Sequence, residues 1–390
     1  MRKNLFIFFL LLIFVTLRAQ TEVSFKTDST KTDTVKIGKK QGIIKRMLTY
    51  FEQSNKGKDH GKFDFSVIGG PHYATDTKLG IGLIAAGIYY SDARDSLLPS
   101  SNVSLYGDVS TTGFCMIGVG GVHIFPHRRY RMEYDVSFYS FPSKFWGIGY
   151  EYGNNSNNES TINQFQIEAT TKFLFRLANN LYVGPALSYS FVNVRKIERP
   201  ELLNNEDVRA ANVGTGLVFV LDTRDIMTSP KHGCYIYLSQ MLHVRLTDGG
   251  HTFWTTDFKA STYQPLWSDC TLALQALGTL QSGYIGWTDM AMLGSSHSMR
   301  GYYNGRYRDK NKLEIQAELR QHIWRRNGIV VWMGTGTVFP EFKAMRWRHM
   351  LPNFGLGYRW EFKKNMNIRL DYGFGKSGQS GFLFNVNEAF

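Results

Sequence analysis

Long stretches of this chain alternate apolar residues with polar or small ones. In residues 130–138 the apolar set is Tyr130, Met132, Tyr134, Val136 and Phe138, and the polar set is Arg131, Glu133, Asp135 and Ser137. The alternation recurs at residues 164–175, 181–191, 312–323 and 368–374. Because successive side chains of a β-strand point to opposite faces, each stretch predicts a strand with one apolar face.

Strand length decides between a soluble sheet and a membrane barrel. A soluble antiparallel sheet also alternates, but these stretches run to about ten residues or more, whereas strands of globular proteins average about five or six. One face is rich in Phe, Tyr and Leu, as a lipid-facing wall would be, and the other carries charges that need an aqueous lumen. We therefore predict an all-β membrane protein, a roughly 16-stranded antiparallel transmembrane β-barrel.

The predicted strands cover residues 62–70, 79–91, 102–110, 113–122, 129–139, 161–177, 180–193, 207–221, 234–246, 252–265, 269–281, 312–322, 328–338, 351–361, 366–374 and 381–390. If the first strand enters from the periplasm, the last one ends there. The turn at residues 222–233 is then periplasmic, and the long insertion at residues 282–311 begins on the outer side.

The first residues predict export from the cytoplasm. Arg2 and Lys3 precede an apolar run from Leu5 to Val15, and Ala19 is a small residue at which a signal peptidase could cut. This run is too short to cross the ~30 Å hydrocarbon layer comfortably. Residues 1–19 are therefore predicted to be a cleaved signal peptide, with a retained signal anchor as the alternative.

Residues 20–61 are predicted to be a periplasmic segment that precedes a barrel at residues 62–390. Its first part is polar and is expected to be disordered. Five apolar residues then recur near helical spacing among basic ones: Ile37, Ile44, Met47, Leu48 and Phe51. This pattern predicts a short amphipathic helix at the periplasmic rim or in the lumen. A linker that orders only on docking fits the pattern equally well.

The composition excludes several functions. The net charge of +13 comes from basic residues that are spread through strands and loops, which favours anionic lipid over nucleic acid as a partner. Cys115, Cys234 and Cys270 fit no metal spacing, and neither do the ten His, which are expected at solvated rim positions. No cofactor or metal site is predicted.

The chain is not expected to be an enzyme. Ser296, His297 and Ser298 are neighbours in a predicted loop. Adjacent loop residues do not present a nucleophile to its base, and the sequence contains no G-x-S-x-G motif.

Four motifs, in order along the predicted barrel, resemble the BamA/TamA superfamily of outer-membrane proteins, the bacterial surface antigen family. MRGY, residues 299–302, resembles the VRGF or VRGY motif of the family's sixth extracellular loop. LDTRDIMTSPKHG looks like its D-x-R-D and P-x-x-G turn, through Asp222, Arg224, Asp225, Pro230 and Gly233. AELR, residues 317–320, is similar to the strand after the motif loop, and IRLDYGFG with the terminal NEAF is similar to the last hairpin.

The resemblance implies that the motif loop folds back into the lumen, where Arg300 bonds Glu318 on the following strand. A guanidinium fork matches a carboxylate well, and Gly301 before Tyr302 permits a tight backbone turn. The family has a second acid on the next strand, where this chain has Gly334. We therefore expect Glu318 to be the main partner in a weaker or different loop lock.

The other two motifs are expected to be structural. The 222–233 turn is predicted to cap strand ends and to keep the periplasmic rim solvated. The apolar residues of the last predicted strand are expected to be the signal that the barrel-assembly machinery reads: Phe382, Phe384, Val386 and Phe390.

Two functions remain open from the sequence. Residues 20–61 are too short for a POTRA module, so the chain resembles a branch of the family without POTRA domains. It is expected to assist insertion or translocation of protein or lipid through a weak seam between its first and last strands, where glycines loosen the pairing. The alternative is a passive or gated pore with the Arg300 loop as its constriction. Expected partners are outer-membrane lipid, the assembly machinery and an unidentified client.

Overall fold

Sixteen long antiparallel strands form one sheet in the computed structural model, in which neighbours along the chain are neighbours in the sheet. The structure describes residues 64–74, 77–92, 100–203, 206–247, 249–363 and 365–390. The predicted signal peptide and amphipathic helix lie outside these residues. The predicted fold class, an antiparallel barrel of sixteen strands, is confirmed.

The sixteen strands of the barrel are β1 (Asp64–Ala74), β2 (Lys78–Tyr89), β3 (Ser101–Ser110), β4 (Cys115–Ile124), β5 (Tyr130–Phe145), β6 (Ser160–Ala178), β7 (Leu181–Ile197), β8 (Arg209–Asp222), β9 (Gly233–Arg245), β10 (Thr252–Trp267), β11 (Cys270–Gly283), β14 (Asn311–Trp324), β15 (Asn327–Phe339), β16 (Leu351–Lys363), β17 (Met366–Phe374) and β18 (Ser380–Val386). Between β11 and β14, the short strands β12 (Ala291–Leu293) and β13 (Tyr307–Asp309) form a separate hairpin. One helix, α1 (Tyr150–Asn154), lies between β5 and β6.

The alternation of the sequence separates the two faces of the wall. On β15 and β16, Met333 and Leu356 are 68% and 62% exposed and face outward, whereas Trp332 and Arg359 on the same strands are buried inside. Between β6 and β9 the interior is also partly apolar, because one buried cluster contains Leu174, Ala186, Val218, Val220 and Met241. Among the described residues, the structure contains no helix with the length and hydropathy to span a bilayer.

The two rims differ in the length of their connections. On one rim, β6 and β7, β10 and β11, and β14 and β15 are joined by two residues each. On the other rim the connections include residues 146–159, 198–208, 284–310 and 340–350. Outer-membrane barrels have short periplasmic turns and longer extracellular loops. The 223–232 turn lies on the rim of the two-residue turns, which this rule makes the periplasmic rim, and residues 284–310 begin on the opposite, outer rim.

The last strand is shorter than predicted. β18 ends at Val386, so the predicted strand at 381–390 is wrong in its last four residues. Asn387 has φ +66°, a left-handed conformation that ends the strand, and Glu388 turns inward to Arg359. Phe382 and Phe384 pair with Tyr372 and Leu370 on the outer face. Phe390 does not share that face with them, because its ring lies 5.2 Å from the inward guanidinium of Arg320. The expected assembly signal stays a prediction.

The barrel is nearly closed. The rings of Tyr73 on β1 and Phe382 on β18 are 5.9 Å apart, so the first and last strands lie side by side. Across the described residues, however, the ladder begins at β1 and ends at β18, with no pairing between the two. We call this boundary the seam.

Candidate functional site

Residues 284–310, the motif loop, enter the lumen after β11. Ala291 on β12 pairs with Asp309 on β13, which gives the loop a hairpin stem. The stem and the motif pack in one buried cluster with residues of α1, β15 and β16: Tyr150, Leu293, Met299, Tyr302, Tyr307, Val338 and Leu351. The hydroxyl of Tyr302 donates to the Pro352 carbonyl at 2.6 Å and accepts from the Lys376 amide at 2.7 Å. Apolar packing and hydrogen bonds therefore both hold the loop.

Arg300 is fully buried between the loop and the barrel wall. Its Nη2 lies 2.5 Å from Glu318 Oε2, and its Nη1 lies 2.7 Å from Asp371 Oδ2. The guanidinium carbon also lies 3.7 Å from the centre of the Trp332 ring. Two carboxylates and an aromatic face thus meet one planar cation, a geometry that suits arginine and not lysine.

Glycines let the loop backbone reach β17. Gly301 has φ +101°, and a Cβ there would lie 2.6 Å from the Gly373 carbonyl oxygen. A Cβ on Gly373 would lie 2.1 Å from the Arg300 carbonyl oxygen. That same oxygen accepts a hydrogen bond from Asn353 Nδ2 at 2.5 Å. The close approach of the two backbones therefore requires glycine on both sides.

The second acid comes from an unexpected strand. The sequence places Gly334 where the family has its second acid, and Glu318 was therefore expected to be the main partner. That expectation was incomplete, since Asp371 on β17 also bonds Arg300. A Cβ on Gly357 would lie 2.2 Å from Asp371 Oδ1, so a glycine on β16 leaves the space for this carboxylate. In the sequence, only the inward position of Asp371 within IRLDYGFG could have indicated that it lies in the lumen.

Three further arginines lie around the two carboxylates, Glu318 and Asp371. Arg320 Nε lies 2.8 Å from Glu318, Arg359 Nη1 lies 2.6 Å from Asp371, and Arg369 Nη2 donates to the Ser296 carbonyl at 2.8 Å. Arg359 Nε also lies 2.7 Å from Glu388. We call these seven buried side chains the arginine network: Arg300, Arg320, Arg359, Arg369, Glu318, Asp371 and Glu388. Arg359 was not singled out from the sequence beyond its inward position, and alternation placed Glu388 on the outward face with Phe382 and Phe384.

The last four residues of the chain contact this network inside the lumen. Arg320 Nη2 donates to the Phe390 main-chain oxygen at 2.7 Å, and its guanidinium lies 5.2 Å from the Phe390 ring. His297 Nδ1 lies 2.7 Å from the Ala389 oxygen, inside the lumen and not at a rim as expected for the histidines. Residues 387–390, the terminal segment, therefore connect the end of β18 to the motif loop.

The predicted turn motif forms a compact structure on the periplasmic rim. Arg224 donates Nε and Nη2 to the two Asp222 oxygens at 2.9 and 2.8 Å. Gly233 has φ +94°, and a Cβ there would lie 2.2 Å from the Thr223 carbonyl oxygen. The Pro230 carbonyl accepts a 3.4 Å hydrogen bond from Arg320, which links the turn to the arginine network.

Asp225 holds the other half of that turn. Its Oδ1 accepts hydrogen bonds from the backbone N–H groups of Ile226, Lys231 and His232 at 2.9, 3.0 and 3.2 Å. Burial alone would raise the pKa of Asp225, but these donors lower the pKa below its ordinary value. In the described part of the chain, no three His, Cys, Asp or Glu side chains are grouped as metal ligands would be.

Comparison with known proteins agrees with this architecture. The family model described as "Omp85 superfamily domain" matches residues 124–390. Among solved structures, BamA from Haemophilus ducreyi lacking POTRA domains 1–3 is similar, with a TM-score of 0.57, 12% identity, and coverage of 88% of this chain and 78% of that chain. CdiB from Escherichia coli has a TM-score of 0.53, 10% identity, and coverage of 88% and 70%.

CdiB from Acinetobacter baumannii has a TM-score of 0.51 and 10% identity over 83% of this chain, which spans 59% of that protein. No curated protein sequence matches. The solved structures support the barrel fold, and the family model covers more than half of the chain. The chain therefore belongs to the Omp85 superfamily, and its barrel lies in the outer membrane of a Gram-negative bacterium.

Proposed function

We propose that this barrel inserts or translocates protein or lipid at the outer membrane through the seam between β1 and β18. The main support for this proposal is that the two strands lie side by side without backbone pairing between them. An unpaired backbone N–H or C=O group costs several kcal/mol in lipid. An incoming strand would satisfy those groups by adding to the exposed edge.

The sequence of β1 supports a weak edge. Pro71 lies within β1 and has no N–H group to donate to a ladder. Gly69 and Gly70 precede it, and glycine within a strand weakens pairing because it loses more entropy on ordering. β18 is also short, with seven residues against eleven in β1.

The arginine network connects the strands on one side of the seam, from β14 to β18. Arg300 bonds β14 through Glu318 and β17 through Asp371. Glu388, just after β18, bonds Arg359 on β16. In the proposed mechanism the wall from β14 to β18 therefore stays rigid while β1 moves away from it. No step of this mechanism needs a catalytic residue.

A disulfide across the seam tests the proposal. Tyr73→Cys with Phe382→Cys, in a chain whose native cysteines are replaced, would close the seam on oxidation. Tyr372→Cys with Phe382→Cys is the matched control, since these residues already face each other in the β17–β18 ladder. We expect oxidation of the first pair to abolish client insertion into proteoliposomes and oxidation of the second to leave it unchanged. Equal insertion by both oxidised proteins would refute the seam mechanism.

The alternative, a passive or gated pore, would use the lumen as its path. The motif loop and the seven buried side chains of the arginine network occupy the lumen beside β14 to β17, which favours the seam. Planar-bilayer recordings separate the two functions. Steady channels that vanish when the motif loop is cross-linked to the wall would support the pore.

A further inference from the structure

Residues 340–350, the basic loop, join β15 and β16 on the outer rim. Trp347 and Phe342 in this loop are 81% and 62% exposed. Three cations, Lys343, Arg346 and Arg348, are exposed beside them. Large exposed aromatic side chains among cations are typical of surfaces that bind a partner.

The three cations are not neutralised within the protein. In the part of the chain that the structure describes, none of their side chains forms an ion pair or hydrogen bond. Glu341 is the only carboxylate of the loop. Elsewhere on the outer rim, Lys144 pairs with Glu159, and Arg199 pairs with Glu201 at 3.0 Å. The basic loop therefore keeps an excess positive charge that the connections at residues 146–159 and 198–208 do not.

The outer rim is also asymmetric in charge. Across the barrel, the connection between β7 and β8 carries four carboxylates against one arginine: Glu198, Glu201, Glu206 and Asp207 against Arg199. Cations at the adjoining strand ends, Arg195, Lys196 and Arg209, offset those carboxylates, so an anionic partner is attracted to the basic loop and not to the opposite side.

The basic loop lies at the height of lipid headgroups. The strands below it turn apolar side chains outward, with Met333 and Phe354 as the outermost exposed ones. Phe354 lies three residues below the start of β16, which at about 3.3 Å per residue is roughly 10 Å from the loop. Headgroup layers begin directly above the hydrocarbon band, and tryptophan and cations are the side chains that prefer this zone.

We propose that the basic loop binds the phosphate-bearing headgroups of outer-leaflet lipids. Lys343, Arg346 and Arg348 hold the phosphate, for which the two guanidinium groups supply forked donors. Trp347 and Phe342 lie at the boundary between headgroups and acyl chains. An acidic protein would satisfy the same charges, but the lipid-facing wall directly beneath the loop favours lipid. This site does not depend on the seam.

Native mass spectrometry of the detergent-purified protein tests this assignment. The probes are a lipid that carries phosphates on a glucosamine headgroup and its dephosphorylated analogue with the same acyl chains. The variant is Lys343→Gln/Arg346→Gln/Arg348→Gln. The control, Arg195→Gln/Lys196→Gln/Arg199→Gln, removes three cations from the outer end of the opposite wall. The heat-modifiable gel shift verifies that each variant folds.

We expect the loop variant to bind the phosphorylated lipid about tenfold more weakly than the parent, with unchanged binding of the dephosphorylated one. The control should bind both lipids as the parent does. Trp347→Ala should weaken the binding of both lipids to a similar extent, because it removes an apolar contact. This loss should be smaller than the loss of phosphorylated lipid in the loop variant.

Equal losses in the loop variant and the control would overturn the assignment, because they would indicate only general charge. Parent binding that does not depend on the phosphates would overturn it too. A third result would also overturn the assignment. In it, the loop binds an acidic protein at full occupancy, and the phosphorylated lipid binds equally to the parent and the loop variant.

Discussion

Arg300 in the motif loop and Asp371 on β17 are 2.7 Å apart, although 71 residues separate them in the chain. Glu318 on β14 completes the pair of carboxylates from the other side. One loop side chain thus joins two strands that are three positions apart in the sheet. The contact stabilises the wall next to the seam as well as the loop itself.

Arg300→Ala should lower the free energy of unfolding by about 3 kcal/mol, because it leaves two buried carboxylates without their shared cation. The temperature at which the heat-modifiable gel shift is lost measures this. Arg131→Ala is the matched control. Arg131 pairs with Glu133 at 2.5 Å on the lumen side, but both side chains are partly exposed, so about 1 kcal/mol or less is expected. If both variants lost the gel shift at the same temperature, the contact of Arg300 with its two carboxylates would not stabilise the barrel as proposed.

Gly373→Ala should displace the motif loop, because the new Cβ would lie 2.1 Å from the Arg300 carbonyl oxygen. We expect limited proteolysis to cleave residues 284–310 several times faster than in the parent. Gly107→Ala is the control, since its Cβ would lie 3.5 Å from the nearest atom, an ordinary contact. A Gly373→Ala protein as resistant as the control would mean that the loop does not need this close approach.

The sequence predicted the strands and one pair of the arginine network, for different physical reasons. Alternation with a period of two fixes which face a residue occupies, so all sixteen strands were found, with ends that differ by up to six residues, as at Phe145 of β5. Alternation does not fix which inward residues meet across the lumen. Arg359 and Asp371 were therefore missed, because their meeting depends on the path of the loop and on the glycine gap at Gly357. Glu388 was missed because alternation placed it on the outward face with Phe382 and Phe384, whereas the structure brings it to Arg359. The inward turn at Asn387 follows from one left-handed φ that the pattern does not encode.

Glu388→Ala should release the terminal segment from the lumen. The change removes bonds to Arg359 Nε at 2.7 Å and to Asn367 Nδ2 at 2.6 Å, while Arg359 keeps its contact with Asp371. A loss of about 1–3 kcal/mol is expected for a buried, charged hydrogen-bond partner. Hydrogen exchange at residues 387–390 should accelerate at least tenfold. Glu341→Ala removes an exposed carboxylate and should change nothing there. Unchanged exchange in Glu388→Ala would show that the other contacts of the segment, including its backbone hydrogen bonds to Asn367 and Thr228, hold it without Glu388.

The periplasmic turn should lose order in acid because of Asp225. The folded protein lowers the pKa of this carboxyl through three backbone N–H donors, against the opposing effect of burial. A lowered folded pKa means that the stabilisation is fully present above the unfolded pKa, about 3.9, and is lost as pH falls through the folded pKa. The amide chemical shift of Ile226 should therefore stay constant from neutral pH to about 4 and move below it. Asp225→Asn has no proton to gain, so its amide shifts should not follow that titration; parent shifts that match the variant at every pH would rule out Asp225 as the group that orders the turn.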